Sequence, residues 1–126
     1  HNITDGQLDA LKAEVAKGYP IVIGMHVPIF TKGLLEFGPP RETICSTPEE
    51  QREHALANNL PMWAENIRLY NDSAWRAVEY IKNEPLIKVV LCGHKHRNFY
   101  AELSDSTIEI MTPAGCQGFV REITLV

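Results

Sequence analysis

The stretch Ile87-Lys88-Val89-Val90-Leu91-Cys92 is apolar except for Lys88; it stops at Gly93 and sets down two histidines, His94 and His96. A run this short, preceded by Glu84-Pro85 and closed by glycine, reads as a buried strand of a sheet covered on both faces. It is the strongest constraint in the chain. Strands of this kind belong to layered α/β architectures, whose ligand sites lie beyond the carboxyl ends of the strands. A second run, Pro20-Ile21-Val22-Ile23-Gly24-Met25-His26, also ends in glycine and histidine, and Val27-Pro28 then turns the chain out of the sheet.

Each of these strands follows a helix. Thr4 to Gly18 carries Leu8, Leu11 and Val15 at helical spacing. Thr4 and Gln7 fit a capping box, Gly18 suits a left-handed end, and Pro20 prevents continuation. The second helix spans roughly 73–83, capped by Asn71 or Asp72, with Trp75, Val78 and Ile81–Lys82 as its buried face. Between the two units, residues 29–47 hold no sustained period, as expected of a functional loop. Thr47, Pro48 and Glu50 then open a helix that ends near Asn58–Asn59. Residues 60–70 are ambiguous; Pro61 can open a short helix carrying Met62, Trp63, Ile67 and Leu69. After His96 the pattern becomes β-rich: a hairpin over 98–103 and 107–112, a loop at 113–118, and a final strand from Phe119 to Val126. Trp63, Trp75 and Tyr80 read as core rather than as a stacking platform for substrate.

One domain accounts for 126 residues. A net charge of −4, with acids and bases scattered, argues against a nucleic-acid face, and no basic amphipathic stretch is present for a membrane surface. No run approaches the roughly 18 apolar residues of a membrane span, so a soluble chain is expected. Cys45, Cys92 and Cys116 are too few and too dispersed for a disulfide framework, which leans towards a reducing, cytoplasmic setting. The start at His1 has neither the basic region nor the apolar run of a signal peptide, leaves a cleaved signal open, and lacks an initiating methionine.

If the two histidine-ended strands are parallel neighbours or near neighbours, His26, His94 and His96 converge at one edge. Neutral imidazole is the commonest protein metal ligand, and three suffice for a transition metal with open positions for water or substrate. The remaining histidines are less informative: His54 sits on a charged helix face and His1 is terminal. Lys95, between two candidate ligands, and Arg41, in the long loop, are the cations that could contact an anionic substrate.

Gly24-Met25-His26-Val27-Pro28 followed by Cys92-Gly93-His94-Lys95-His96 resembles the last two motifs of the calcineurin-like metallophosphoesterases, and the β-rich tail is similar to that family's C-terminal half. The resemblance implies a fold of class α/β: the C-terminal half of a four-layer αββα sandwich, with a mixed sheet and antiparallel closing strands, so that residues 1–126 form a single partial domain. It implies hydrolysis of a phosphate mono- or diester by a metal-bound hydroxide. Two divalent ions (Mn, Fe, Zn or similar), roughly 3.5–4 Å apart, would clamp the phosphate. His26 and His94 would bind the second metal and His96 the first.

The family's Asp-x-His, Gly-Asp-x-x-Asp and Gly-Asn-His motifs have no counterpart here. The expectation is therefore a C-terminal half that supplies only part of the ligand set and is inactive alone. Half of such a sandwich leaves apolar sheet surface uncovered, so a homo-oligomer built on that surface is expected. The alternative is a non-catalytic, phosphoesterase-derived binding or assembly module. Two other folds that use paired histidines fit less well: a cupin is all-β with a nearby downstream glutamate, and metallo-β-lactamase-like hydrolases continue with an aspartate and a further histidine.

Overall fold

The structure is a computed structural model, and it describes residues 3–37, 43–45, 47–57, 59 and 72–124. Its elements run α1 (Asp5–Val15), β1 (Ile21–Gly24), a 3-10 turn (Lys32–Phe37), α2 (Pro48–Ala57), α3 (Asp72–Asn83), β2 (Ile87–Cys92), β3 (Phe99–Glu102), β4 (Ile108–Met111) and a short 3-10 turn (Gly115–Gln117). Arg41, the ambiguous 60–70 stretch with Trp63, Asn71, Val126 and the His54 side chain lie outside the described residues.

Local chemistry sets the helix ends. The Thr4 hydroxyl accepts from Gln7 N–H, and the Gln7 side chain accepts from Thr4 N–H at 2.9 Å, the reciprocal box its sequence predicts. Gly18 takes φ +81° and donates to Val15 O at 2.9 Å, so the turn that leads out of α1 needs a residue tolerant of left-handed backbone. In α2, the Thr47 hydroxyl accepts from Glu50 N–H at 3.1 Å, while the Glu50 carboxylate reaches across to Lys82 at 3.2 Å.

The four strands form one mixed sheet in the order β1-β2-β4-β3. β1 runs parallel to β2, β2 parallel to β4, and β3 antiparallel to β4. The predicted hairpin therefore forms, and its second strand, not its first, lies against β2. One face of the sheet is covered by α3 and by the segment that leaves β1. Val27, Ile29, Ile44, Ala74, Val78, Ile81, Ile87 and Val90 make up this core. Thr107, fully buried, donates its hydroxyl to Ile87 O at 2.8 Å and so fixes the start of β4 to the start of β2.

Two expectations are corrected. The buried face of α3 is Ala74, Ala77, Val78 and Ile81, whereas Trp75 is half-buried, its Nε1 without a hydrogen-bond partner among the described residues. The residues this helix commits to the core are mostly small, and Trp75 is not among those packed into the core cluster. Nor does the tail from Phe119 form a strand over its described residues, up to 124. It is rich in β-branched and apolar residues, but a strand is defined by a neighbour to bond to, and Phe119, Val120 and Ile123 remain exposed. No described helix is long and apolar enough to cross a membrane.

Candidate metal-ligand site at the sheet edge

The parallel pairing of β1 and β2 places their carboxyl ends side by side. Pairing continues past the strands proper: Met25 N–H donates to Leu91 O at 2.9 Å, and Gly93 N–H donates to His26 O at 3.1 Å. The ladder thus carries His26 and His94 to the same edge. Their rings meet edge to face, with centroids 4.8 Å apart at 78°, and His94 Nδ1 lies 2.9 Å from His26 Nε2.

The chain after β2 bends sharply to achieve this. Lys95 N–H closes a three-residue turn onto Gly93 O at 2.7 Å, with His94 at its centre in left-handed backbone, φ +65°. His96 follows at φ +54°. Left-handed backbone costs a residue with a Cβ about 1–2 kcal/mol, and such outliers cluster at functional edges. His96→Gly is therefore expected to stabilise the fold by up to about 1 kcal/mol, net of the extra chain entropy of glycine, read as a small rise in melting temperature.

Two imidazole nitrogens at 2.9 Å suit two arrangements. In one, a ring N–H donates to the other ring's lone pair. In the other, both lone pairs face one cation. With metal–nitrogen bonds of about 2.0–2.1 Å, ligands at right angles are separated by about 2.9 Å, and tetrahedral ligands by about 3.3 Å. The observed spacing matches adjacent positions of an octahedral ion. A movement of a few tenths of an ångström would admit a tetrahedral one.

The three-histidine convergence expected from sequence is met for two residues. His96 is exposed and is not brought into the pair; among the described residues, no group of three or more His, Cys, Asp or Glu could hold a metal ion. Lys95 is half-buried within the His94 turn, and Arg41 lies outside the described residues.

Glu109, behind this edge, is not legible as a site residue in the sequence. In the centre of β4, it is fully buried. Its Oε1 accepts from Ile29 N–H at 2.7 Å, and its Oε2 has no hydrogen-bond partner among the described residues. Burial pushes its pKa up to about 7, against the opposing pull of the Ile29 N–H, the Cys92 thiol and Lys82. Cys92 is itself driven well above the ordinary thiol range, by burial first and by Glu109 second. Parity points the wrong way: Glu109 alternates with the apolar Ile108 and Ile110, yet the face it shares with Thr107 and Met111 is the fully buried one.

No protein-family model matches the chain, and neither the curated proteins nor the solved structures contain a significant match to it.

Proposed function

We propose that this chain carries part of the metal-ligand set of a calcineurin-like phosphoesterase, with His26 and His94 as two ligands of one divalent ion. The observation that supports this reading is the 2.9 Å approach of two imidazole nitrogens at the carboxyl edge of parallel strands. Ions of this class lower the pKa of a coordinated water and neutralise charge on phosphoryl oxygens. The chain's own part is to hold two neutral nitrogen donors in fixed directions. The left-handed turn at His94 orients one, and the β1–β2 ladder places the other. Lys95 and His96 follow His94 directly in the chain, and Lys95 is the cation proposed to contact the phosphoester in this reading. A full dinuclear centre requires carboxylates beyond this pair.

The test is hydrolysis of bis-p-nitrophenyl phosphate with manganese or zinc. Turnover in the chain, lost in His26→Ala and in His94→Ala, supports catalysis by the chain itself. Metal binding without turnover supports a ligand-supplying part of a larger site.

The second reading, a non-catalytic assembly module, draws on a different observation. Val22, Val89, Leu91, Ile108, Ile110 and Tyr100 share the sheet face opposite to α3 by strand register. Val22 and Tyr100 are exposed there, and Leu91, Ile108 and Ile110 are only half-buried. In a four-layer sandwich, a second sheet would cover this face. The chain alone is expected to cover it with a second copy, so light scattering at micromolar concentration should give twice the chain mass. Val22→Lys, which puts a charge on that face, should return the mass to that of the monomer.

A further inference from the structure

We infer that Glu109 is the positioning residue of the His26–His94 pair, acting as an acceptor that clamps the chain where it leaves β1. This role rests on the reading of that pair as the working site.

Between His26 and the 3-10 turn, the backbone leaves the sheet and runs through the core. Val27, Pro28, Ile29 and Phe30 are all buried, although no regular ladder of the described strands serves them. Their polar groups must find partners, since an orphaned buried N–H is costly. Two partners come from a single bridge: Phe30 N–H donates to Ile44 O at 2.8 Å, and Ile44 N–H donates to Pro28 O at 2.9 Å. These bonds lie on one side of the segment, as alternate residues of an extended chain require. The Ile29 N–H points the other way, into the sheet, and Glu109 Oε1 receives it at 2.7 Å. A carboxylate in the middle of β4 therefore stands in for a ladder partner, three residues beyond His26.

The location of this bond gives it leverage. His26 is held on its N-terminal side by the β1–β2 ladder and through its own carbonyl by Gly93 N–H. On its C-terminal side the segment is tied to Ile44 through Pro28 O and Phe30 N–H, and to β4 through Ile29 N–H on Glu109. Of these ties only the Ile29–Glu109 bond fixes the segment to the sheet, so its release lets Val27 to Phe30 shift against β1 and β2 and turns the His26 ring with them. Glu109 touches neither histidine and is not a catalytic residue. Its environment matches an acceptor kept for a reason beyond packing: Oε1 is committed to Ile29 N–H, Oε2 is buried with no hydrogen bond of ordinary geometry among the described residues and only the weak donor of the Cys92 thiol bearing on the carboxylate, and an apolar residue of the same size would avoid that penalty. The charged or titratable groups that bear on it are Cys92 of β2 and Lys82 of α3, the latter paired with Glu50 of α2.

The test uses the full 126-residue chain, isotope-labelled, metal-free with chelator, at pH 8. Three quantities are read by NMR: cross-relaxation between the His26 and His94 rings, exchange protection of the Ile29 amide, and the amide pattern of β2 and β4. In Glu109→Met, the sheet pattern should persist, the ring cross-relaxation should vanish, and Ile29 exchange should accelerate by at least about tenfold. Glu109→Gln keeps an acceptor and should preserve both the cross-relaxation and the protection. A folded Glu109→Met chain that retains the ring cross-relaxation overturns the inference. If Glu109→Met fails to fold, Glu109→Gln decides. Cross-relaxation and protection both preserved support the clamp, and a folded Glu109→Gln chain whose rings no longer cross-relax overturns it. The measurement needs neither metal nor substrate. A clamp that holds in a chain that binds no metal therefore refutes the proposed function alone.

Discussion

Glu109→Gln should raise the melting temperature at pH 8 by roughly 10 °C, and this gain should disappear as the pH is lowered to 4. The carboxyl is pushed up from 4.5 to about 7 by burial in the folded chain. Between those values the folded state holds a proton that the unfolded state has released. Stability therefore falls as pH rises through this window and stays lowered above it. At about 1.4 kcal/mol per unit of pKa, the deficit at pH 8 is about 3 kcal/mol. Glutamine keeps the shape and an acceptor for the Ile29 N–H and has no charge to bury, so the deficit is absent in the variant. The roughly 10 °C follows from the unfolding entropy of a domain of this size. Thermal melts of both chains from pH 4 to 8 check the prediction. A difference independent of pH would mean that Glu109 does not titrate in this window. The same substitution leaves the clamp in place, so stability and positioning can be separated in a single protein.

His26→Ala and His94→Ala should each weaken binding of manganese or zinc by more than about 100-fold and abolish any metal-dependent phosphoester hydrolysis. Loss of a partner that merely supports a ligand costs about 10–100-fold in affinity, and loss of the ligand itself should exceed that. Both residues lie on the rim of the sheet, His26 exposed and His94 half-buried, so the change in fold stability should stay below about 1 kcal/mol. At His94, removal of the ring leaves a left-handed alanine in place of a left-handed histidine, and the backbone strain is unchanged. His96→Ala separates the structural reading from the sequence resemblance. The resemblance makes His96 a ligand equal to the others, whereas the structure leaves it outside the pair. Isothermal titration of the three variants should show a clearly smaller loss for His96→Ala when this chain binds one ion through its paired histidines. Equal losses for all three would favour the full family arrangement.

The sequence by itself determined what is local. The capping box at Thr4, the left-handed exit at Gly18, the cap at Thr47, the two apolar strands that end in glycine and histidine, and the late hairpin were all legible because each depends on neighbours within a few residues. The identity of the candidate ligand histidines came from the same short-range reading of strand ends. Tertiary structure decided which of them meet. His26 and His94 are 68 residues apart, and only the parallel register of β1 on β2 brings their nitrogens to 2.9 Å. It also decided that the apolar tail after Phe119 has no strand to bond to over its described residues, and that small alanines rather than Trp75 face the sheet from α3. Glu109 is the clearest case. In sequence it is a glutamate within an alternating strand, which reads as solvent-facing; in the fold it is the buried acceptor for an amide 80 residues away. Periodicity reports which residues share a face. Which face is covered, and which backbone donor crosses it in need of a partner, depends on contacts that no local pattern encodes.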